Sequence, residues 1–145
     1  MSSEKNPIQI QAERMAETMR TPNVPNAVLL ILYDLRIPVN SAGFRFLKDL
    51  LPAALETPSY IVETELFAVV GGRYIPRVAI KSMDKAVHTV LRKAWRSREI
   101  EVWRKYIPEY IMERGQEPTN MEFISCIVYF LEFWQNCYEE AGHEK

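Results

Sequence analysis

The sequence predicts an all-α protein of five or six helices, and three observations carry that prediction. Apolar residues recur at helical spacing in several separate segments, the most regular set being Met83, Val87, Val90, Leu91 and Ala94. No period-two alternation is sustained for the length of a strand. Thr119 and Glu122 stand three apart just before an apolar run, which is the pattern of a capping box. The 145 residues suit one domain with its own core, and 48% hydrophobic against 26% charged residues excludes a disordered chain.

The elements follow in order. Residues 1–25 are polar and read as an N-terminal arm, with a short helix around Ile8 to Arg20 that Pro22 and Pro25 end. Residues 26–140 form the helical domain and 141–145 a tail. From Asn26, Val28, Leu29, Leu32 and Leu35 make one face of a helix that stops near Pro38. Asn40 or Ser41 caps the next helix, with Phe44, Leu47, Leu50 and Leu51 apolar and Pro52 expected to kink or shorten it. Tyr60 to Val70 is a shorter element. Its β-branched residues leave a strand open, whereas Leu66, Phe67 and Val70 have helical spacing. Gly71-Gly72 ends it, most simply as a helix C-cap and turn, because no phosphate-loop signature surrounds the pair. Ser82 to Arg98 is the best helix, with Trp95 bordering its apolar face. A segment from Ser97 to Lys105 follows, then an irregular or short helical stretch through Tyr110. The last helix, capped by Thr119, buries Phe123, Ile127, Phe130, Leu131 and Trp134. Phe133 and Tyr138 also lie on it, and a helix apolar all round is expected to be sandwiched in the core.

The formal net charge of -1 hides an uneven distribution. Residues 73–105 hold ten Lys/Arg against three acids, or +7, while residues 1–72 total -2 and residues 106–145 total -6. Lys81, Lys85, Arg92 and Arg96 follow an i, i+4 progression on the best helix, with His88 and Thr89 between them. Such a face is either a solvated surface or a reading helix for a major groove, where lysine and arginine neutralise phosphates and donate to guanine. The preceding short helix and glycine turn give a helix-turn-helix layout, although Gly71 to Ile80 is longer than the usual turn of three or four residues.

Little in the sequence points to catalysis. His88 and His143 are the two histidines, and neither has cysteine or histidine neighbours at metal-ligand spacing, so neither metal nor cofactor is expected. The acids Glu63/Glu65 and Glu139/Glu140 diverge on a helix, and no nucleophile elbow, Walker loop or kinase set is present. The protein is not expected to be an enzyme. Cys126 and Cys137 sit eleven apart on one predicted helix, about 16 Å along its axis at 1.5 Å per residue, too far for a disulfide. The longest apolar run, Ala27 to Tyr33, is too short for a membrane span, and no signal peptide or lipidation motif is seen. A cytoplasmic protein with no membrane partner is the expectation.

Three stretches resemble a known family. LRIPVNSAGFRFL (35–47) is similar to the opening of the C-terminal effector domain of the stage-zero sporulation transcription factor of endospore-forming Firmicutes. AVHTVLRKAWRSR (86–98) is similar to its recognition helix, and EPTNMEF (117–123) to the Pro-Thr-Asn-x-Glu-Phe start of its final helix. The resemblance covers Ala27 to Leu131 and is weakest over Tyr60 to Ile80. It implies a six-helix, helix-turn-helix domain that reads short operator boxes on double-stranded DNA, commonly as two domains in tandem. It also implies that the segment from Ser97 to Met112 touches a sigma subunit of RNA polymerase. The family's receiver domain has no counterpart in these residues, so phosphorylation control is not expected within the chain. Where the family's recognition helix presents arginines, this sequence has Ser82, Lys85 and His88, which alters the sequence readout.

The expected function is therefore a DNA-binding transcriptional regulator. Lys81, Ser82, Lys85, His88 and Thr89 would face base edges or nearby phosphates, and Arg92, Lys93 and Arg96 would hold the backbone. The alternative is a helical module that binds a regulator, RNA polymerase or a second copy of itself without specific DNA contact, suggested by the acidic C-terminal third and its aromatic helix.

Overall fold

Helix starts are set locally by side chains that accept the amides left free in a first turn. Asn6 accepts from the Gln9 amide at 2.9 Å, Asn23 from Asn26 at 3.0 Å and Ser41 from Phe44 at 3.1 Å. In the computed structural model, which describes residues 6–57 and 62–143, these caps open α1 (Pro7–Thr18), α2 (Val24–Asp34) and α3 (Ala42–Glu56). The chain continues through α4 (Glu63–Gly71), α5 (Ile80–Arg96), α6 (Ile100–Trp103), α7 (Glu109–Arg114) and α8 (Asn120–His143).

The hub is α3, which packs against α2, α4, α5 and α8. Its buried face comprises Gly43, Phe44, Phe46, Leu47, Leu50, Leu51 and Ala53. Phe123, Ile127, Phe130, Leu131 and Trp134 of α8 are fully covered. Phe133 and Tyr138 are partly buried against the same core, so α8 is flanked by packing on most of its circumference. An aromatic series links the C-terminal elements to this core. Trp95 meets Trp103 edge-on at 5.5 Å, Trp103 contacts Phe123 at 6.3 Å, and Tyr106 meets Phe130 at 4.9 Å.

Several sequence expectations change. The all-α class holds among the described residues, but they form eight helices instead of five or six. The segment from Ser97 to Lys105 contains a short helix, α6. The stretch expected to be irregular or briefly helical through Tyr110 opens α7, with Pro108 at its N-cap and residues 104–108 between the two helices. Pro52 lies inside α3 and does not shorten it, since the helix continues to Glu56. Leu50, Leu51 and Ala53 are buried on both sides of the proline, and that packing outweighs its missing amide. On α2, Leu29 is only half-buried while Ala27 and Ile31 are fully covered. That helix stops at Asp34, with Arg36 in the left-handed region (φ 61°). Tyr60 and Ile61 of the expected third element lie outside the described residues. From Glu63 the element is helical.

The segment expected to be an arm contains α1, which lays Ile8, Ala12 and Met15 along α8. The Tyr138 hydroxyl donates to the Met19 carbonyl at 2.6 Å. The Tyr106 hydroxyl donates to Asp34 Oδ2 at 2.6 Å and accepts from Gln11 Nε2 at 3.1 Å. Burial and the Asp34 carboxylate both raise the Tyr106 pKa, so the phenol keeps its proton. Lys105 Nζ adds an ion pair to Asp34 at 2.8 Å.

Candidate nucleic-acid interface

The site is built on α5. Its apolar face is set by Met83, Val87, Val90, Leu91, Ala94 and Trp95, all buried. At about 100° per residue, the eight candidate contact residues fall within an arc of about 140° on the other side. Lys81, Ser82, Lys85, His88, Thr89, Arg92, Lys93 and Arg96 are all exposed. Among the described residues, none of the basic ones has an ion-pair partner. Thr89 Oγ1 donates to the Lys85 carbonyl at 2.8 Å, so its hydroxyl is turned back along the helix. Arg98 belongs elsewhere. Its guanidinium lies 3.8 Å from the Trp95 ring centroid and donates to the Trp95 carbonyl at 2.8 Å.

Three contacts fix where this face points. Gly43 of α3 lies directly on α5, and a Cβ there would come 2.5 Å from the Ala86 carbonyl oxygen and collide with Val90. Only glycine allows so close a crossing. The α4–α5 turn, residues 72–79, is closed by amides of Tyr74 and Val78 donating to the Gly71 carbonyl at 3.3 and 3.0 Å. A Cβ at Gly71 would stand 2.5 Å from the Val78 carbonyl oxygen. The third contact joins the far end of the chain to α5. Asn120 Nδ2 donates to the Asp84 carbonyl at 3.0 Å and to Asp84 Oδ1 at 2.9 Å.

Asp84 has a second carboxylate neighbour. Glu63, at the start of α4, shares a hydrogen bond with it, so α4, α5 and α8 meet at one polar cluster. Burial first, and then the Asp84 hydrogen bond and charge, push the Glu63 pKa up to about 7. The first turn of α8 is held by the reciprocal pair expected from sequence. The Glu122 amide donates to Thr119 Oγ1 at 3.1 Å and the Thr119 amide to Glu122 Oε1 at 2.9 Å. Arg114 clamps the same carboxylate with bonds of 2.8 and 2.7 Å, and chiefly for that reason the Glu122 pKa is held down to about 2.

Periodicity and charge brought the α5 residues together, but they did not reveal Gly43, Glu63, Asp84 or Asn120 as the parts that orient the helix. Gly43 and Asn120 stand inside the two quoted motifs LRIPVNSAGFRFL and EPTNMEF, and that was their only sequence signal. Cys126 is buried and Cys137 partly so, and burial pushes the Cys126 pKa up to about 11. Among the described residues, no group of three His, Cys, Asp or Glu is arranged to hold a metal, and no helix is long and apolar enough to cross a membrane.

Comparison with known proteins gives one family. The model described as sporulation initiation factor Spo0A C terminal matches residues 28–131. No curated protein and no solved structure matches the chain.

Proposed function

The chain belongs to the Spo0A C-terminal family of helical DNA-binding effector domains, and from that premise we propose that it is a sequence-specific transcriptional regulator that reads double-stranded DNA with α5. The observation that carries the reading is the unpaired basic arc of α5, held outward by the Gly43 crossing and the Asn120–Asp84 clasp. From Lys81 to Arg96 this edge is about 22 Å long at 1.5 Å per residue, longer than the roughly 12 Å width of a major groove. The N-terminal part, Lys81 to Thr89, enters the groove, and Arg92, Lys93 and Arg96 reach the flanking phosphates. The proposal extends, as the resemblance implies, to two copies in tandem on DNA and to contact of the segment from Ser97 to Met112 with a sigma subunit. Ile100 and Tyr110, 48% and 69% exposed, are its available apolar groups.

Fluorescence polarisation with duplex DNA across a range of salt concentrations tests the reading. Binding that weakens steeply with salt and differs between duplex sequences is the expected result. Absence of binding at low salt overturns it.

One feature favours a second reading, in which the partner is a protein. Tyr110 and Tyr129, 69% and 61% exposed, border a groove also lined by Ile8, Ile107, Met121 and Cys126. A partner seated there would leave α5 free, so charge changes on α5 separate the two readings.

A further inference from the structure

The basic surface does not end where α5 begins. Arg77 and Arg73 are exposed on the α4–α5 turn, and Arg77 precedes Lys81 by four residues. Four residues span at most about 14 Å even when extended, about four base-pair rises along the axis of duplex DNA. The turn is long for a helix-turn-helix, but it is not loosely held. Gly71 closes it through its carbonyl, as described above. Tyr74, in its middle, donates its hydroxyl to Asp49 Oδ2 of α3 and meets Phe46 edge-on at 5.5 Å. Arg45 covers both rings, 5.1 Å from the Phe46 centroid and 5.5 Å from that of Tyr74. Burial first, and then Asp49, raise the Tyr74 pKa, so the phenol keeps its proton.

The two arginines are not equivalent. Arg73 shares a shallow groove with Lys48, Asp49 and Glu56, so acids stand near it, and Asp49 already accepts from Tyr74. Arg77 is exposed, and among the described residues it has no ion-pair partner. A cation on a backbone pinned at both ends forfeits little freedom when it meets a fixed phosphate.

We infer that the α4–α5 turn is a second DNA-contacting element, in which Arg77 binds a backbone phosphate beside the groove entered by α5 and Arg73 assists. The inference rests on the DNA-binding reading of α5 and adds a sequence-independent contact to it.

The test is the salt dependence of duplex binding by the full chain, comparing wild type with Arg77→Ala, Arg77→Lys and Arg73→Ala. Each lost phosphate contact lowers the slope of log K against log salt by about 0.9. Arg77→Ala is expected to lower it by that amount and to weaken binding to a preferred and an unrelated duplex by the same factor. Arg77→Lys, which keeps the charge, is expected to retain the slope, and Arg73→Ala to lower it by less than Arg77→Ala. A salt-dependent wild type whose slope is unchanged by Arg77→Ala overturns this inference and leaves the α5 reading standing. A wild type that fails to bind at low salt overturns the α5 reading itself.

Discussion

Asn120 donates both of its side-chain hydrogen bonds to one residue, Asp84, at 3.0 Å to the carbonyl and 2.9 Å to the carboxylate. The pair spans 36 positions in sequence and ties the first turn of α8 to the first half of α5. The first turn of the final helix thus helps position the basic helix.

Removing that tie has a defined effect. Asn120→Ala removes both bonds to Asp84, and loss of a hydrogen bond to a charged group costs about 1.5–3 kcal/mol. Urea denaturation should show a loss in that range.

The Glu63–Asp84 pair predicts a pH effect with a definite sign. The folded pKa of Glu63, about 7, lies above its ordinary value of 4.5. The folded protein therefore holds a proton that the unfolded chain releases. The associated stability is fully present below pH 4.5 and is lost as pH rises through about 7. The urea midpoint should fall between pH 5 and pH 8. Glu63→Gln should flatten that part of the profile, because its amide cannot lose a proton and can still donate to Asp84.

The Gly43 crossing predicts a steric effect. Gly43→Ala puts a methyl 2.5 Å from the Ala86 carbonyl and against Val90, so α3 and α5 must separate. Overpacking of this kind costs about 1–3 kcal/mol. Adding Val90→Ala should restore only part of it, since the Ala86 carbonyl is backbone and cannot be trimmed away. Thermal melts of the single and double variants provide the comparison.

Charge reversal separates contact from stability. Lys85→Glu with Arg92→Glu changes two exposed positions on α5. Each change should move stability by no more than about 0.5 kcal/mol. Duplex binding at physiological salt should nevertheless disappear, because two phosphate-attracting charges become repulsive. Retained binding in a polarisation titration would assign the α5 face to the solvent.

What could be read from the sequence was local. The Thr119–Glu122 box, the Ser41 cap and the buried stripe from Met83 to Ala94 each depend on residues within a few turns of one another. The structure shows them as expected. What escaped depended on distant partners. Pro52 is tolerated because tertiary packing on both sides holds α3 together, and no local rule contains that information. Ile8, Ala12 and Met15 are three modest apolar residues in a polar stretch, and only α8, more than a hundred residues later, gives them a face to cover. Glu63 and Asp84 were visible as acids but not as neighbours, so the basic helix was legible while its supports were not.

The docking of α1 on α8 also bears on the order in which the molecule assembles. Tyr138 and Met19 meet across 119 positions, and Tyr106 and Gln11 across 95. During synthesis, α2 to α5 leave the ribosome with their mutual partners close behind them, whereas the main partner of α1, α8, is made more than a hundred residues after it. The docking of α1 is therefore complete only once α8 has been made.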